Sequence, residues 1–292
     1  MKPAPFDYFA PTTLDEVFEL LARFGDDARV IAGGQSLVPM LALRLARPEV
    51  LIDLNRVPSL SGISEDGGTL RIGAMTRQAK ALASDVIRDR LPLLHQALWN
   101  VGHPPTRARG TLGGSISHAD PAAETPMVMM AYNASMVIAG KDNERIVEAG
   151  DFSLGTFETC LEEGEILKEI IVDMPRSDEG TGFAELSRRR GDFAMVSAAA
   201  RLRLNADGTC AEAHLMIGAV APVPLRCDAV AQALVGTEPT EQRLREAVGL
   251  IELDSFTFDN PEVSLAYRRH IAPTLAFRAL AQAAGKASGL HT

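Results

Sequence analysis

A short apolar strand that runs directly into two glycines limits which folds this sequence can adopt. Residues 28–32 have the pattern of a buried strand, and the polar stretch Gly33–Ser36 follows before a helix predicted over 37–45. Glycines let a backbone approach a ligand closely and adopt positive φ, so consecutive N–H groups can converge on an anion. The spacing is neither G-x-G-x-x-G nor a P-loop. Alone, the segment predicts either a phosphate site or a simple tight turn.

A second glycine pair, Gly113–Gly114, lies in a polar stretch over residues 111–124. The segment before it, residues 103–110, is so rich in Pro and Gly that it predicts neither helix nor strand, and the glycine pair predicts a turn. A ligand with two phosphates and a polyol chain needs many short polar groups from different directions. The stretch supplies hydroxyl donors for phosphate and carboxylate acceptors for sugar or ribityl hydroxyls: Thr111, Ser115, Ser117, Asp120 and Glu124.

The composition narrows the class of protein. The chain has 292 residues and a formal net charge of -9 at pH 7, which disfavours a nucleic-acid binder. The sequence shows no secretory pattern and no apolar run of membrane-span length, so we expect a cytoplasmic protein without a membrane span. Cys160, Cys210 and Cys227 are scattered and form no C-x-x-C pair. We therefore expect reduced thiols and no metal site on this chain.

The remaining patterns predict a chain that mixes helices and strands. Residues 14–24 predict a helix capped by Thr12 or Thr13 and ended by Gly25. Strands are predicted over 50–53, 70–73, 134–138 and 166–172, helices over 76–82 and 92–99, a hairpin over 197–204 and 211–219, and mostly helix over 228–284. We expect Trp99 and Tyr132 to pack in the core, and order to be lost from about Gly285.

Several segments together resemble a known family. They are AGGQSLVPML, RGTLGGSISHADPAAE, FAELSRRRGDFAMV and the late Tyr267–His270. They are similar to the FAD-binding medium subunits of the molybdenum hydroxylases, which include carbon monoxide dehydrogenase medium chains and xanthine dehydrogenase FAD subunits. The resemblance implies an α+β fold with two α/β FAD-binding subdomains of the vanillyl-alcohol-oxidase (PCMH) type, over 1–56 and 57–176. An antiparallel sheet with helices would follow over 177–292.

The resemblance also implies the FAD contacts. Ala32–Ser36 and the Thr111–Ser115 segment would clamp the pyrophosphate, and Glu124 would bind a ribityl or ribose hydroxyl. Asp192–Phe193 would approach the isoalloxazine ring, although a tyrosine or tryptophan is common at 193, and Glu185 stands where a lysine is often found. The implied cofactor-binding residues are Arg29, Val30, Ile31, Ala32, Gly33, Gly34, Gln35, Ser36, Leu37, Val101, Thr111, Gly113, Gly114, Ser115, Ser117, His118, Asp120, Glu124, Ile166, Leu167 (the last two beside adenine), Asp192 and Phe193.

The implied partners carry the other cofactors. They are a small subunit with [2Fe–2S] clusters and a large subunit with a molybdopterin cofactor, arranged as a dimer of heterotrimers. This chain would take electrons from the clusters and pass them to NAD, a quinone or another acceptor, with no catalytic side chain and no metal of its own. Two other hypotheses about the function stay open: a stand-alone FAD-dependent oxidase or dehydrogenase, and a binding module that has lost its flavin. His118 could also simply cap a turn.

Overall fold

The N-terminal part of the chain forms a parallel three-stranded sheet. The structure is a computed structural model that describes residues 2–289. The elements of this N-terminal part are β1 (Asp7–Phe9), α1 (Leu14–Phe24), β2 (Ala28–Ile31), α2 (Leu37–Ala42) and β3 (Val50–Asp53), in the strand order β1-β3-β2. Thr13 caps α1 by accepting from the Glu16 N–H, and Gly25 ends it at φ +47°. Since β2 and β3 are parallel, their carboxyl ends lie side by side, next to the loop that leads into α2.

The middle of the chain builds a five-stranded sheet in the order β4-β5-β10-β6-β7, and all four neighbouring pairs are antiparallel. Its helices are α3 (Gln78–Leu82), α4 (Asp85–Arg90), α5 (Pro92–Leu98), α6 (Pro104–Arg109), α7 (Leu112–His118), α8 (Glu124–Ala131) and α9 (Ala149–Phe152). The strands are β4 (Ile63–Asp66), β5 (Thr69–Gly73), β6 (Ser135–Ala139), β7 (Glu144–Glu148), β10 (Ile166–Asp173) and a separate hairpin of β8 (Ser153–Gly155) and β9 (Glu158–Thr159).

The last part is a four-stranded antiparallel sheet, β11-β12-β13-β14, with helices packed on it. Its elements are β11 (Glu179–Ser187), β12 (Ala194–Leu204), β13 (Cys210–Gly218), β14 (Leu225–Arg226), α10 (Asp228–Leu234), α11 (Glu241–Val248) and α12 (Leu265–Ala287). The long helix α12 lies so close to β11 that a Cβ on Gly182 would meet the Ala279 carbonyl oxygen at 2.0 Å. Alternate residues of β11 and β12 therefore face α12, and the intervening ones face the middle of the chain.

Buried side chains link these parts into continuous cores. The cluster around β3 includes Met75 and Ile166 from the middle of the chain, and the cluster around α8 includes Phe183 and Ala199 from the last sheet. The α+β prediction is confirmed. The boundaries after residues 56 and 176 stay a proposal, supported by three main sheets that share no strand within residues 2–289.

Two local predictions were wrong because they took Pro and Gly only as signs of a loop or a turn. Residues 103–110 contain helix α6 because Pro104 and Pro105 occupy its first turn, where a backbone N–H would have no intrahelical acceptor. Gly113–Gly114 is not a turn but lies within α7, which Thr111 caps by accepting from the Gly114 N–H. Composition alone does not distinguish a glycine at a turn from one that allows close packing.

Three smaller expectations can be compared with the structure. Tyr132 is buried as predicted, and its hydroxyl accepts from the Leu93 N–H at 3.0 Å. Trp99 was wrongly expected in the core, since 48% of it is exposed at the end of α5. Helix α12 continues past Gly285 to Ala287, and residues 290–292 of the expected disordered end lie outside the described chain.

Candidate functional site

The loop from Gly33 to Leu37 presents a row of free backbone donors. Gly34 has φ +72°, and its carbonyl accepts from the Val38 N–H at 2.9 Å, which closes the turn between β2 and α2. Across residues 2–289, no protein oxygen accepts from the N–H groups of residues 33 to 37. Successive N–H groups around a residue with positive φ form a concave site for an anion. The loop is thus built to bind a negatively charged group such as phosphate.

The second glycine segment packs directly against this loop. A Cβ on Gly33 would lie 2.4 Å from the Arg109 carbonyl oxygen and 2.7 Å from the Gly110 Cα. On the other side, a Cβ on Gly114 would lie 3.3 Å from the Ala32 Cβ. Since real Cβ atoms do not approach backbone at 2.4 Å, Gly33 is required for the two segments to touch. The structure therefore brings together the two glycine motifs, which are about 80 residues apart in the sequence.

A chain of hydrogen bonds holds the two segments in register. Asn55 donates to the Ala32 carbonyl oxygen at 2.9 Å, and its own side-chain oxygen accepts from Arg77. Arg77 also donates to the Arg109 carbonyl oxygen. Burial and the neighbouring Arg109 charge lower the pKa of Arg77 below its usual value. The loop, β3 and the end of α6 are thus connected through two side chains.

A groove of about 380 Å³ opens beside the loop. It is lined by Ile31, Ala32, Gly33, Gly34, Gln35, Val38, Pro39, Asp53, Asn55 and Arg109. Arg109 is exposed, and within residues 2–289 no acceptor pairs with its guanidinium. Free N–H donors and an unpaired cation along one groove are the groups that bind a pyrophosphate, so the residues fit the FAD implied by the sequence motifs.

The first turn of α7 contributes packing rather than free N–H donors. The Leu112 N–H bonds to the Thr76 carbonyl oxygen at 3.0 Å, and the Gly113 N–H to that of Ala74 at 2.8 Å. The Gly114 N–H bonds to the Thr111 hydroxyl oxygen at 3.1 Å. Ser115 and Ser117 are half-buried on the same helix and keep their hydroxyls as possible donors. Their predicted contacts with FAD remain a proposal.

The other end of α7 carries an aromatic contact. The His118 ring, in the last residue of α7, lies on Phe157 with centroids 4.9 Å apart and planes at 30°. Burial lowers the pKa of His118, and the nearby Asp120 opposes that shift only in part. The imidazole is therefore neutral at pH 7. Asp120 in turn accepts from the Ala122 N–H at 2.9 Å and shapes the loop that leads into α8.

Asp192 and Phe193 lie on the turn between β11 and β12. The Phe193 ring is 68% exposed, which is unusual for an apolar side chain of this size. The next residue, Ala194, packs with Ala122 in a small buried cluster. This contact places Phe193 beside the segment that follows α7.

A buried acid, Glu124, and a half-buried one, Glu185, lie next to that segment. Glu124, the first residue of α8, is only 7% exposed. Burial, and then the charge of Glu185, raise the pKa of Glu124 well above its usual range. Burial also raises the pKa of Glu185, whose Oε2 atom has no hydrogen-bond partner.

The remaining predicted residues surround the loop at different depths. Arg29 is exposed on β2, while Val30 and Ala32 pack against the core cluster that contains Ile166. Ile166 and Leu167 are buried at the start of β10. Val101 is buried, and its carbonyl oxygen accepts from the guanidinium of Arg107 at 2.8 Å. These residues form the walls and support of the region rather than its polar surface.

The predicted residues therefore fall into two groups joined by α7. One group is at the Gly33–Leu37 loop, and the other is at His118, Asp120, Glu124 and the 192–193 turn. Seven helical residues at about 1.5 Å each separate them by roughly 10 Å. The separation suits an elongated ligand with an anionic part at one end and an aromatic part at the other.

Sequence reasoning missed Asn55, Arg77 and Arg109. Asn55 follows a predicted strand by two residues, and Arg109 stands directly before the second glycine segment. The sequence positions of Asn55 and Arg109 could have indicated a role in the site, because polar residues after a strand and cations before a phosphate motif are typical of nucleotide sites. Arg77 gave no signal, since its role depends on a contact across 32 residues.

Comparison with known families shows the family to which the chain belongs. A family model described as the FAD binding domain in molybdopterin dehydrogenase matches residues 4–175. A second, described as the CO dehydrogenase flavoprotein C-terminal domain, matches residues 181–283. The chain belongs to the FAD-binding subunits of the molybdopterin dehydrogenases. The resemblance drawn from the motifs is confirmed, together with FAD as the cofactor of this chain and its place in an oxidoreductase.

Relatives of known activity cover nearly the whole chain. The 6-hydroxypseudooxynicotine dehydrogenase complex subunit alpha of Paenarthrobacter nicotinovorans is 36% identical over 98% of this chain and 97% of the relative. The carbon monoxide dehydrogenase medium chain of Hydrogenophaga pseudoflava is 40% identical, over 85% and 86%.

Solved structures show the same fold. The Cu,Mo-CO dehydrogenase in its cyanide-inactivated form matches with a TM-score of 0.94 at 34% identity, over 98% of this chain and 100% of the other. Quinoline 2-oxidoreductase from Pseudomonas putida matches with a TM-score of 0.93 at 37% identity, over 100% of both chains. In the part of the chain from residue 2 to 289, no helix is long and apolar enough to cross a membrane.

Proposed function

We propose that this chain is the electron-transfer subunit of a molybdenum-containing hydroxylase. Its partners would be a small [2Fe–2S] subunit and a large molybdopterin subunit, in a dimer of heterotrimers in the cytoplasm. The relatives support this, since they include a subunit of a dehydrogenase complex and a medium chain of carbon monoxide dehydrogenase. Three free cysteines among the described residues suit a reducing compartment.

The single observation that carries the proposal is the loop of five unpaired N–H groups in a groove with a free cation. The N–H groups of residues 33 to 37 would bind the pyrophosphate, and Arg109 would neutralise part of its charge. Gly33 and Gly114 would let the two glycine segments close around it. The ribityl chain would then follow α7 toward His118 and Asp120, with the flavin ring near Phe193.

The chain's own residues bind, orient and shield the cofactor rather than act on a substrate. When bound, FAD supplies the redox chemistry, taking electrons from the partner's clusters and passing them to NAD, a quinone or another acceptor. The rings of His118 and Phe157 give that end of the site an aromatic border, and burial favours the neutral form of the imidazole by lowering the pKa of His118. The exposed Phe193 would cover a flavin face and lose that exposure on binding.

Co-purification tests the subunit assignment. We expect the tagged chain to isolate with two other chains, one carrying iron and sulfide and one carrying molybdenum, and flavin reduction by substrate to require both. The control is the isolated chain, which should bind FAD but leave it oxidised in the presence of substrate. Full substrate turnover by the isolated chain would contradict the proposal and favour a stand-alone flavin oxidase or dehydrogenase.

A further inference from the structure

Glu124 and Glu185 are two carboxyl groups with few donors in the described chain: Glu124 has only its own backbone N–H, and Glu185 Oε2 has none. Within residues 2–289, no hydrogen bond from another residue reaches either side chain, and Glu185 Oε2 is completely buried. Glu124 starts α8 and is only 7% exposed, whereas Glu185 lies near the end of β11. Buried polar groups in folded proteins nearly always have partners, so these two need an explanation.

The sheet register places both carboxyls in one small space. Glu185 lies directly opposite Ser197 on β12, so the two side chains share a face of the sheet. The Ser197 hydroxyl contacts the Met127 sulfur at 3.7 Å, and Met127 is one turn after Glu124 on α8. The next position across the sheet is Gly218, where a Cβ would lie 2.6 Å from the Ser197 Oγ and 3.0 Å from the Met127 Sδ. The missing side chain lets α8 bring Glu124 close to Glu185.

The charged groups that act on Glu124 are themselves acidic. On the segment before α8, Asp120 adds a further negative charge that acts on Glu124. On β12 and β13 the facing residues are Ser197 and Gly218, which do not titrate. On α12, Arg268 donates to the carbonyl oxygens of Met195 and Ala219, and within residues 2–289 no cation forms an ion pair with either acid. Burial and the repulsion between the two acids therefore favour a pair that holds a proton near neutral pH.

The pair borders the part of the site that faces the flavin. Ala122, two residues before Glu124, packs against Ala194, the neighbour of Phe193. The motif resemblance assigned Glu124 alone to a hydroxyl of the cofactor, and left Glu185 as a departure from the usual lysine. A carboxylic acid can donate a hydrogen bond that a carboxylate cannot.

We propose that Glu124 and Glu185 hold one proton between them and offer it as a hydrogen-bond donor to a hydroxyl of FAD. Cofactor binding then weakens as the pH rises and the shared proton is lost to solvent. The shared proton is a property of the chain alone, while the hydrogen bond to FAD rests on the proposed function. Glu185 thereby becomes a residue of the cofactor site.

The direction of the pH effect follows from the raised pKa of both acids. In the unfolded chain a glutamate loses its proton near pH 4.3, so above about that pH the folded chain holds more protons than the unfolded one. Stability contributed by the protonated pair is complete at low pH and is lost as the pH rises through the folded pKa. The melting temperature of the FAD-free chain should therefore fall from about pH 4.5 up to about pH 8, where the pKa of Glu124 lies.

The test compares the wild-type chain with the double variant Glu124→Gln/Glu185→Gln. We expect the fall in melting temperature to disappear in the double variant and to persist in Glu148→Gln, which changes an exposed acid on β7. In FAD titrations, the wild-type Kd should rise about tenfold between about pH 7 and about pH 9, as one shared proton allows, and that of the double variant should stay within about threefold. If the double variant does not fold, Glu185→Lys gives Glu124 a cation and should also remove the pH effect.

Each outcome separates the two parts of the proposal. An unchanged pH dependence of melting in the folded variants would overturn the shared proton. A pH-dependent melting temperature with a pH-independent FAD affinity would overturn the donor role alone. Failure of the wild-type chain to bind FAD at any pH, with the melting profile as expected, would overturn the proposed function and the donor role but support the proton pair.

Discussion

Arg109 brings a positive charge to the groove beside the glycine loop, and its guanidinium is free to pair with a ligand. We expect Arg109→Gln to weaken FAD binding by about tenfold to a hundredfold, the range for losing a hydrogen bond to a charged group. The loss should shrink at high salt, because salt screens an exposed charge. Titration of the apoprotein with FAD at two ionic strengths measures both effects.

The matched control for that variant is Arg176→Gln. Arg176 is also exposed, but it pairs only with Asp178 at the surface, and such pairs contribute little. Its FAD affinity should equal that of the wild-type chain. If the Arg109→Gln variant binds FAD as tightly as Arg176→Gln does, the Arg109 guanidinium does not contribute to FAD binding.

At the level of single residues, the sequence was informative where chemistry is local. A glycine pair after a strand identified the loop whose N–H groups are free, because positive φ at Gly34 is a local property. The role of Arg77 could not be predicted, because it depends on hydrogen bonds to Asn55 and the Arg109 carbonyl oxygen, which are distant in the sequence. Glu185 appeared only as a departure from a motif, and its burial against α8 depends on sheet register.

Helix α7 connects the two halves of the site, and its cap should matter for both stability and binding. Thr111 accepts from the Gly114 N–H at 3.1 Å, and in the last part of the chain Thr240 caps α11 in the same way through Arg243 at 3.3 Å. We expect Thr111→Val and Thr240→Val each to cost about 1 kcal/mol of unfolding free energy. Only Thr111→Val should also weaken FAD binding. Thermal melting and FAD titration of both variants, with Thr111→Ser as the rescue, make the comparison.

Equal FAD affinities for the two valine variants would show that the α7 cap does not position the cofactor. If Thr111→Ser also failed to bind, the γ-methyl group would be needed as well as the hydroxyl, because valine keeps the methyl and serine keeps the hydroxyl. Either result would contradict a role for Thr111 in FAD binding through capping alone.

Helices and strands were predictable where apolar residues recur at a regular spacing or a capping or turn residue marks the end of the element. The helix over α1 and the hairpin of β12 and β13 were found because Thr13, Gly25 and Gly208 mark their ends. The helices α6 and α7 were missed because Pro and Gly were read as breakers. Pro104 and Pro105 fit a first turn, and Gly113 allows α7 to lie on Ala74, where a Cβ would be 2.4 Å from the Ala74 Cβ.

On the scale of the whole molecule, three sheets are joined by shared cores, and the cofactor region lies along their junction. The N-terminal sheet supplies the Gly33–Leu37 loop, α7 spans the middle, and the last sheet supplies Glu185 and Phe193. Sequence patterns indicated the separate units, but not this junction, because it depends on packing between residues far apart in the chain. The sequence patterns indicated neither the substrate nor the electron acceptor.

Titration of the purified chain with FAD, for wild type and Gly33→Ala, tests the central claim most directly. We expect the wild-type chain to bind one FAD and show flavin absorbance. A Cβ at position 33 would lie 2.4 Å from the Arg109 carbonyl oxygen, so Gly33→Ala should separate the two glycine segments and raise the Kd at least about tenfold. The control is Gly150→Ala, where a Cβ meets nothing within 4 Å and the affinity should not change. A wild-type chain that takes up no FAD, or a Gly33→Ala variant that binds it as tightly as Gly150→Ala does, would contradict the account.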